Sequence, residues 1–79
     1  MHSSAPDPSL AIVLLDSSSL RSVGYSTEAG TLDVAFRSGS VYRYFGVPLL
    51  AYQALLDATS KGRYFVRSIR SSYRFERLR

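Results

Sequence analysis

The sequence predicts an α+β fold, a three-stranded antiparallel β-meander followed by two helices packed on one side, in the order β-β-β-α-α. Three observations predict it. Residues 20–45 hold three short segments rich in Val, Leu, Tyr and Phe, separated by polar stretches that contain glycine. From Leu49 onward the apolar spacing changes from 2 to 3 and 4. The chain has 79 residues, 46% of them apolar and 13% aromatic, which is room for a single core.

Residues 1–9, MHSSAPDPS, read as a disordered N-terminal tail, and residues 10–79 as one domain. LAIVLL (10–15) is an apolar run centred on Ile and Val, and its pattern fits a short strand or a turn of helix equally. DSSSL punctuates it, LRSVGY reads as a strand, and STEAG as a polar loop ending in glycine. TLDVAFR alternates, with Leu32, Val34 and Phe36 on one face and Asp33, Ala35 and Arg37 on the other. Ser38-Gly39 is expected to form a two-residue turn. That register sets Phe36 opposite Val41, Val34 opposite Arg43, Leu32 opposite Phe45, Ala35 opposite Tyr42 and Asp33 opposite Tyr44. Tyr42 and Tyr44 then lie on the face away from the apolar side, which the helices cover.

VPLLAYQALLDATS places Pro48 at the first helical position, with Leu49, Tyr52, Leu55 and Leu56 recurring as one apolar stripe. Ser60 suits the N-cap of a second helix. There Phe65 and Ile69 face inward, with Val66 and Tyr73 near the same stripe. Arg63, Arg67, Arg70 and Arg74 step along the opposite side at spacings of 3 and 4.

Charge is distributed unevenly. Residues 61–79 contain seven basic residues and one acid, a net +6, whereas residues 1–60 carry three arginines and five acids. Nine of the ten cations are arginine, whose planar fork fits phosphate and stacks on bases. This split suits a partner bearing phosphates, the plain alternative being a solvated face that keeps a small protein soluble. Cysteine is absent, so no disulfide forms. No apolar run approaches the roughly 20 residues that span a bilayer, and none has the flanks of a signal peptide. A cytoplasmic location and no membrane partner are the expectations. The sole histidine is His2, and no metal-ligand cluster, carboxylate pair or nucleophile beside a base is visible. No enzymatic activity, cofactor or small-molecule substrate is expected.

DSSSL, VGY, the pair Tyr42 and Tyr44 within VYRYFGVP, SKGRYF and IRSSY occur in an order that resembles the KTSC domain, over residues 14–78. The Tyr-x-Tyr pair is the hallmark of that family. One position departs from it: Val66 stands where a polar residue, often asparagine, is usual. The domain occurs alone in bacterial and phage proteins and at the C-terminus of some lysyl-tRNA synthetases. The resemblance therefore implies a role in binding RNA or another nucleic acid.

Two segments and an arginine stripe could carry such binding. SKGRYF offers free backbone N–H groups behind the Ser60 cap, flanked by Lys61 and Arg63, with no Cβ at Gly62 to block a phosphate. Alternatively, Gly62 ends the first helix in a left-handed conformation. KGRYFV half-matches the strand motif of RNA-recognition modules, but here a helix precedes it. Tyr42 and Tyr44 flank Arg43 and could stack bases, as could Tyr64, or they could simply fill the edge of the core. Arg67, Arg70 and Arg74 would track a phosphate backbone without reading bases. The expected partner is thus RNA ahead of DNA. A second reading is a protein-interaction module, a homodimer formed through residues 10–15.

Overall fold

The computed structural model describes residues 10–79, with side chains from Ile12 onward. The expected tail over 1–9, His2 included, lies outside the described residues. The fold is α+β, as the sequence indicates, but its sheet has five strands and not three. They are β1 (Leu10–Leu14), β2 (Leu20–Ser26), β3 (Thr31–Phe36), β4 (Val41–Tyr44) and β5 (Phe75–Arg77), antiparallel throughout and in chain order across the sheet. Helix α1 (Leu49–Asp57) and helix α2 (Lys61–Tyr64), which runs straight into a π-helical turn (Phe65–Ile69), fill the interval between β4 and β5.

LAIVL becomes a strand because β2 offers it an edge: Leu10 pairs with Ser26, Ile12 with Gly24 and Leu14 with Ser22. Val13 points inward, while Ile12 and Leu14 stand on the bare face of the sheet. The register of β2 on β3 shifts between Leu20 and Ser22. That bulge at Arg21 turns both Leu20 and Val23 into the core, which strict alternation would forbid.

The β3–β4 hairpin corrects the expected register by one residue. The Phe36 amide donates to the Ser40 carbonyl and the Gly39 amide to the Phe36 carbonyl, both at 2.9 Å, so the loop holds three residues, Arg37-Ser38-Gly39. Gly39 supplies the φ of +104° with which this three-residue return closes. Leu32 now pairs with Tyr44, Val34 with Tyr42 and Asp33 with Arg43. Because side chains alternate, a slip of one residue moves all of β4 to the other face. Tyr42 and Tyr44 therefore join Leu32, Val34 and Phe36 beneath the helices, and Arg43 goes to the open face.

The core is Leu15, Leu20, Val23, Tyr25, Leu32, Val34, Tyr44, Val47, Tyr52, Leu55, Phe65 and Ile69. Tyr25 and Tyr52 stack 4.8 Å apart with their rings 9° from parallel, and the Tyr25 hydroxyl donates to the Val47 carbonyl at 2.6 Å. Pro48 is the residue just before α1 and accepts the first amides from Ala51 and Tyr52 through its carbonyl. Leu49, expected on the buried stripe, is half-exposed, since Tyr52 and Leu55 alone reach the sheet fully.

The second helix departs most from a regular stripe. The Arg70 amide bonds the Phe65 carbonyl at 2.9 Å, five residues back, and the helical run ends there. Phe65 and Ile69 are buried as expected, Tyr73 packs against the core, and Val66 is half-exposed. Arg74 lies beyond the helix, on the approach to β5. Strand β5 closes the sheet on β4, with Tyr44 opposite Phe75, Arg43 opposite Glu76 and Tyr42 opposite Arg77.

Candidate nucleic-acid interface

The helix that carries SKGRYF is docked on the serine loop 16–19. The Ser17 hydroxyl accepts from the Ser19 and Leu20 amides at 3.3 and 3.2 Å, and the Arg37 guanidinium donates to the Leu15 and Ser17 carbonyls at 2.9 and 3.0 Å. Gly62 meets that loop so closely that a Cβ on it would lie 2.8 Å from the Ser19 hydroxyl. Gly62 is thus not a left-handed cap, and it lines the hollow that Ser18, Ser19 and Ser60 share with Arg63 and Arg67. It sits inside α2, and the space its missing side chain leaves is taken by Ser19. The Ser60 hydroxyl caps the helix by accepting the Arg63 amide at 3.4 Å, as its position suggests. Lys61 folds back and donates to the Ala58 carbonyl at 3.1 Å.

Arg63 and Arg67, one helical turn apart and both exposed, form a short ridge. On one side is a hollow walled by Ser18, Ser19, Ser60 and Val66; on the other is a hollow walled by Asp57, Thr59 and Tyr64. Tyr64 is partly buried against the core, which leaves only part of its ring for stacking. Among the described residues the sole ion pair is Asp33–Arg43, so Arg63, Arg67 and Arg70 keep their charge uncompensated at close range.

Arg70 has moved off the ridge. A bond to the fifth residue back adds one residue to the turn. Arg70 therefore stands one turn beyond Phe65, on its side of the helix, and the two share the wall of a cleft of about 430 Å³ between the π turn and the sheet. Tyr42, Tyr44, Phe75, Phe36 and Val66 complete its apolar wall, with Ser38 and Ser40 among its polar lining. The rings interlock: Phe36 meets Tyr42 and Phe65 edge-on at 5.9 and 5.4 Å, and Phe75 leans on Tyr42 and Tyr44 at 5.7 Å from each. Burial raises the Tyr44 hydroxyl above its usual pKa of 10, Tyr42 adds to that effect, and the positive charge of Arg70 opposes it.

The remaining candidates scatter. Tyr44 is 3% exposed and presents no free face to a base. Tyr42 is half-buried in the aromatic cluster, with the Arg77 guanidinium 5.9 Å from its ring centre. On the opposite face Arg43 grips Asp33 through two bonds, Nε to Oδ1 at 2.7 Å and Nη2 to Oδ2 at 2.9 Å, which hold its pKa above the usual value. Arg43 is thus an internal counter-ion remote from the ridge. Arg74 lies over the Phe45 ring at 4.4 Å, a cation–π contact outside the expected stripe. Residue spacing did not reveal the cleft, because Phe75 belongs to β5, a strand that the sequence pattern does not mark. The opposite charges of Arg43, Asp33 and Glu76 were the available signal, since only the observed register aligns them in one cross-strand row.

Among the described residues no helix is long and apolar enough to cross a membrane. The sequence model of the KTSC domain family matches residues 16–73. A crystal structure of a KTSC domain protein from Yersinia pestis superposes with a TM-score of 0.83 at 32% identity, covering 89% of this chain and 99% of that one. An uncharacterised protein of Stutzerimonas stutzeri is 57% identical over 67% of this chain and 75% of its own length. A lysine–tRNA ligase of Trichormus variabilis is 36% identical over 87% of this chain, which spans only 15% of the ligase.

Proposed function

The chain belongs to the KTSC domain family, and on that premise we propose that it is a non-catalytic, cytoplasmic nucleic-acid-binding domain with RNA as the favoured ligand. The observation that carries this reading is the arginine set on the second helix. Arg63, Arg67 and Arg70 project from the continuous run of α2 and the π turn and have no carboxylate partner within salt-bridge distance among the described residues. Arg77 and Arg79 extend the basic character along the C-terminal edge. Such an array neutralises successive phosphates and carries no sequence information by itself. The relationship to a segment of lysine–tRNA ligases supports RNA over DNA.

A binding titration against a single-stranded RNA oligomer at two salt concentrations tests the reading. With three phosphates engaged, the association constant should fall about 20-fold between about 50 and 200 mM salt. No binding at low salt, or an affinity indifferent to salt, would refute it.

A further inference from the structure

The aromatic cleft beside the ridge is larger and more apolar than phosphate binding requires. Its volume, about 430 Å³, falls in the range of small-ligand pockets, roughly 300–1,000 Å³. Five aromatic rings together with Leu20 and Val66 form its apolar wall, Ser38 and Ser40 are in its lining, and one arginine, Arg70, stands on its helical side. Phe75 is 53% exposed, so part of its ring faces solvent, although Tyr44 beside it is buried. The π turn is what puts a cation there, and π turns are rare and concentrate at functional sites. A planar ring attached to an anion matches this combination. The adjacent ridge narrows the choice, since Arg63, Arg67 and Arg70 follow one another along a single element and a polyanionic strand laid over the first two arrives at the third.

We propose that the cleft receives one unpaired base of a single-stranded nucleic acid, its ring against Phe75 and Tyr42 and its adjoining phosphate on Arg70. This rests on the reading that the ridge holds the strand's phosphates. It adds a preference for unpaired over duplex strands, because a base inside a helix cannot enter. The hydroxyls of Ser38 and Ser40 offer hydrogen bonds that many base edges satisfy, so discrimination among bases is weak. Ser40 already accepts from Arg77 at 3.4 Å, which leaves its own hydroxyl proton to donate.

The test uses the full chain. Aromatic ring resonances of Tyr42, Tyr44 and Phe75 are followed by NMR during addition of uridine monophosphate, ribose 5-phosphate or phosphotyrosine. In parallel, affinities are measured for oligouridine and for an abasic strand of equal length. The expected result is ring shifts with uridine monophosphate and none with ribose 5-phosphate, and about tenfold tighter binding of oligouridine than of the abasic strand. Phe75→Ala, which removes a ring from the cleft and no wall of the ridge hollows, should bring that ratio close to one while the abasic strand still binds. If this variant does not fold, the ring shifts of the unaltered chain decide. Equal affinity for the two strands with silent rings overturns the cleft and leaves the ridge standing. Failure of both strands to bind overturns the ridge reading, and with it the strand proposed here. Ring shifts with phosphotyrosine but not with the nucleotide overturn the proposal in favour of a protein partner.

Discussion

Tyr44 shows how one residue couples the register of a hairpin to the pH range in which the fold holds. Its hydroxyl stays neutral to higher pH than usual because burial disfavours the phenolate. A group with a raised pKa in the folded state contributes stability that is complete below its unfolded value near 10 and is lost as pH rises through the folded value. Tyr52, raised by burial alone, acts in the same direction. Tyr44→Phe should leave neutral-pH stability close to unchanged and reduce the loss of stability above about pH 10; urea titrations at neutral and alkaline pH check this. Gly62 makes a second residue-scale case. An alanine there gains helix propensity, up to about 1 kcal/mol, but sets a Cβ 2.8 Å from the Ser19 hydroxyl. Gly62→Ala should destabilise the natural chain and stabilise a Ser19→Ala background, with a coupling of about 0.5–1 kcal/mol in a double-mutant cycle. Additive effects would show that helix and serine loop do not touch as described.

At the scale of elements, the hairpin and the π turn decide where the chemistry lies. Both α1 and the first half of the second helix were legible in the sequence, since Pro48, Ser60 and the pairs Tyr52–Leu55 and Phe65–Ile69 mark them. The hairpin was legible as a hairpin but not in its register, because Ser-Gly suits a two-residue or a three-residue return and only cross-strand partners choose between them. Asp33 facing Arg43 was the local clue, and it was outweighed by the commoner turn length. The π turn left no signal, since an extra residue in one turn changes no spacing between Phe65 and Ile69. β5 was hidden because three exposed residues, FER, form a strand only when β4 lends them an edge. Gly39→Ala forces a side chain to φ of +104° and should cost about 1 kcal/mol or more, read from the denaturation midpoint. Deleting Ser68 takes the extra residue out of the π turn. The fold should persist with Arg70 then four residues after Phe65 and still one α turn beyond it, so the preference for base-bearing over abasic strands should be retained.

At the scale of the whole molecule, the five-stranded sheet separates two faces with different electrostatics. The open face carries the paired charges Asp33, Arg43 and Glu76 together with exposed Ile12 and Leu14, at 62% and 79%. The helical side carries the unpaired arginines. The basic segment 61–79 stands out in the charge balance, whereas Arg43 joins the expected binding set only through its place between Tyr42 and Tyr44, and in the fold it pairs with Asp33. The Asp33–Arg43 pair is partly solvated and contributes about 1 kcal/mol or less, so Arg43→Ala should change stability slightly and RNA affinity hardly at all. The most direct measurement is the slope of log association constant against log salt for single-stranded RNA, compared between the natural chain and the double variant Arg63→Ala, Arg67→Ala. Loss of two phosphate contacts should lower the slope by about 1.4 while thermal stability is retained. An unchanged slope in a folded double variant would contradict the assignment of the ridge.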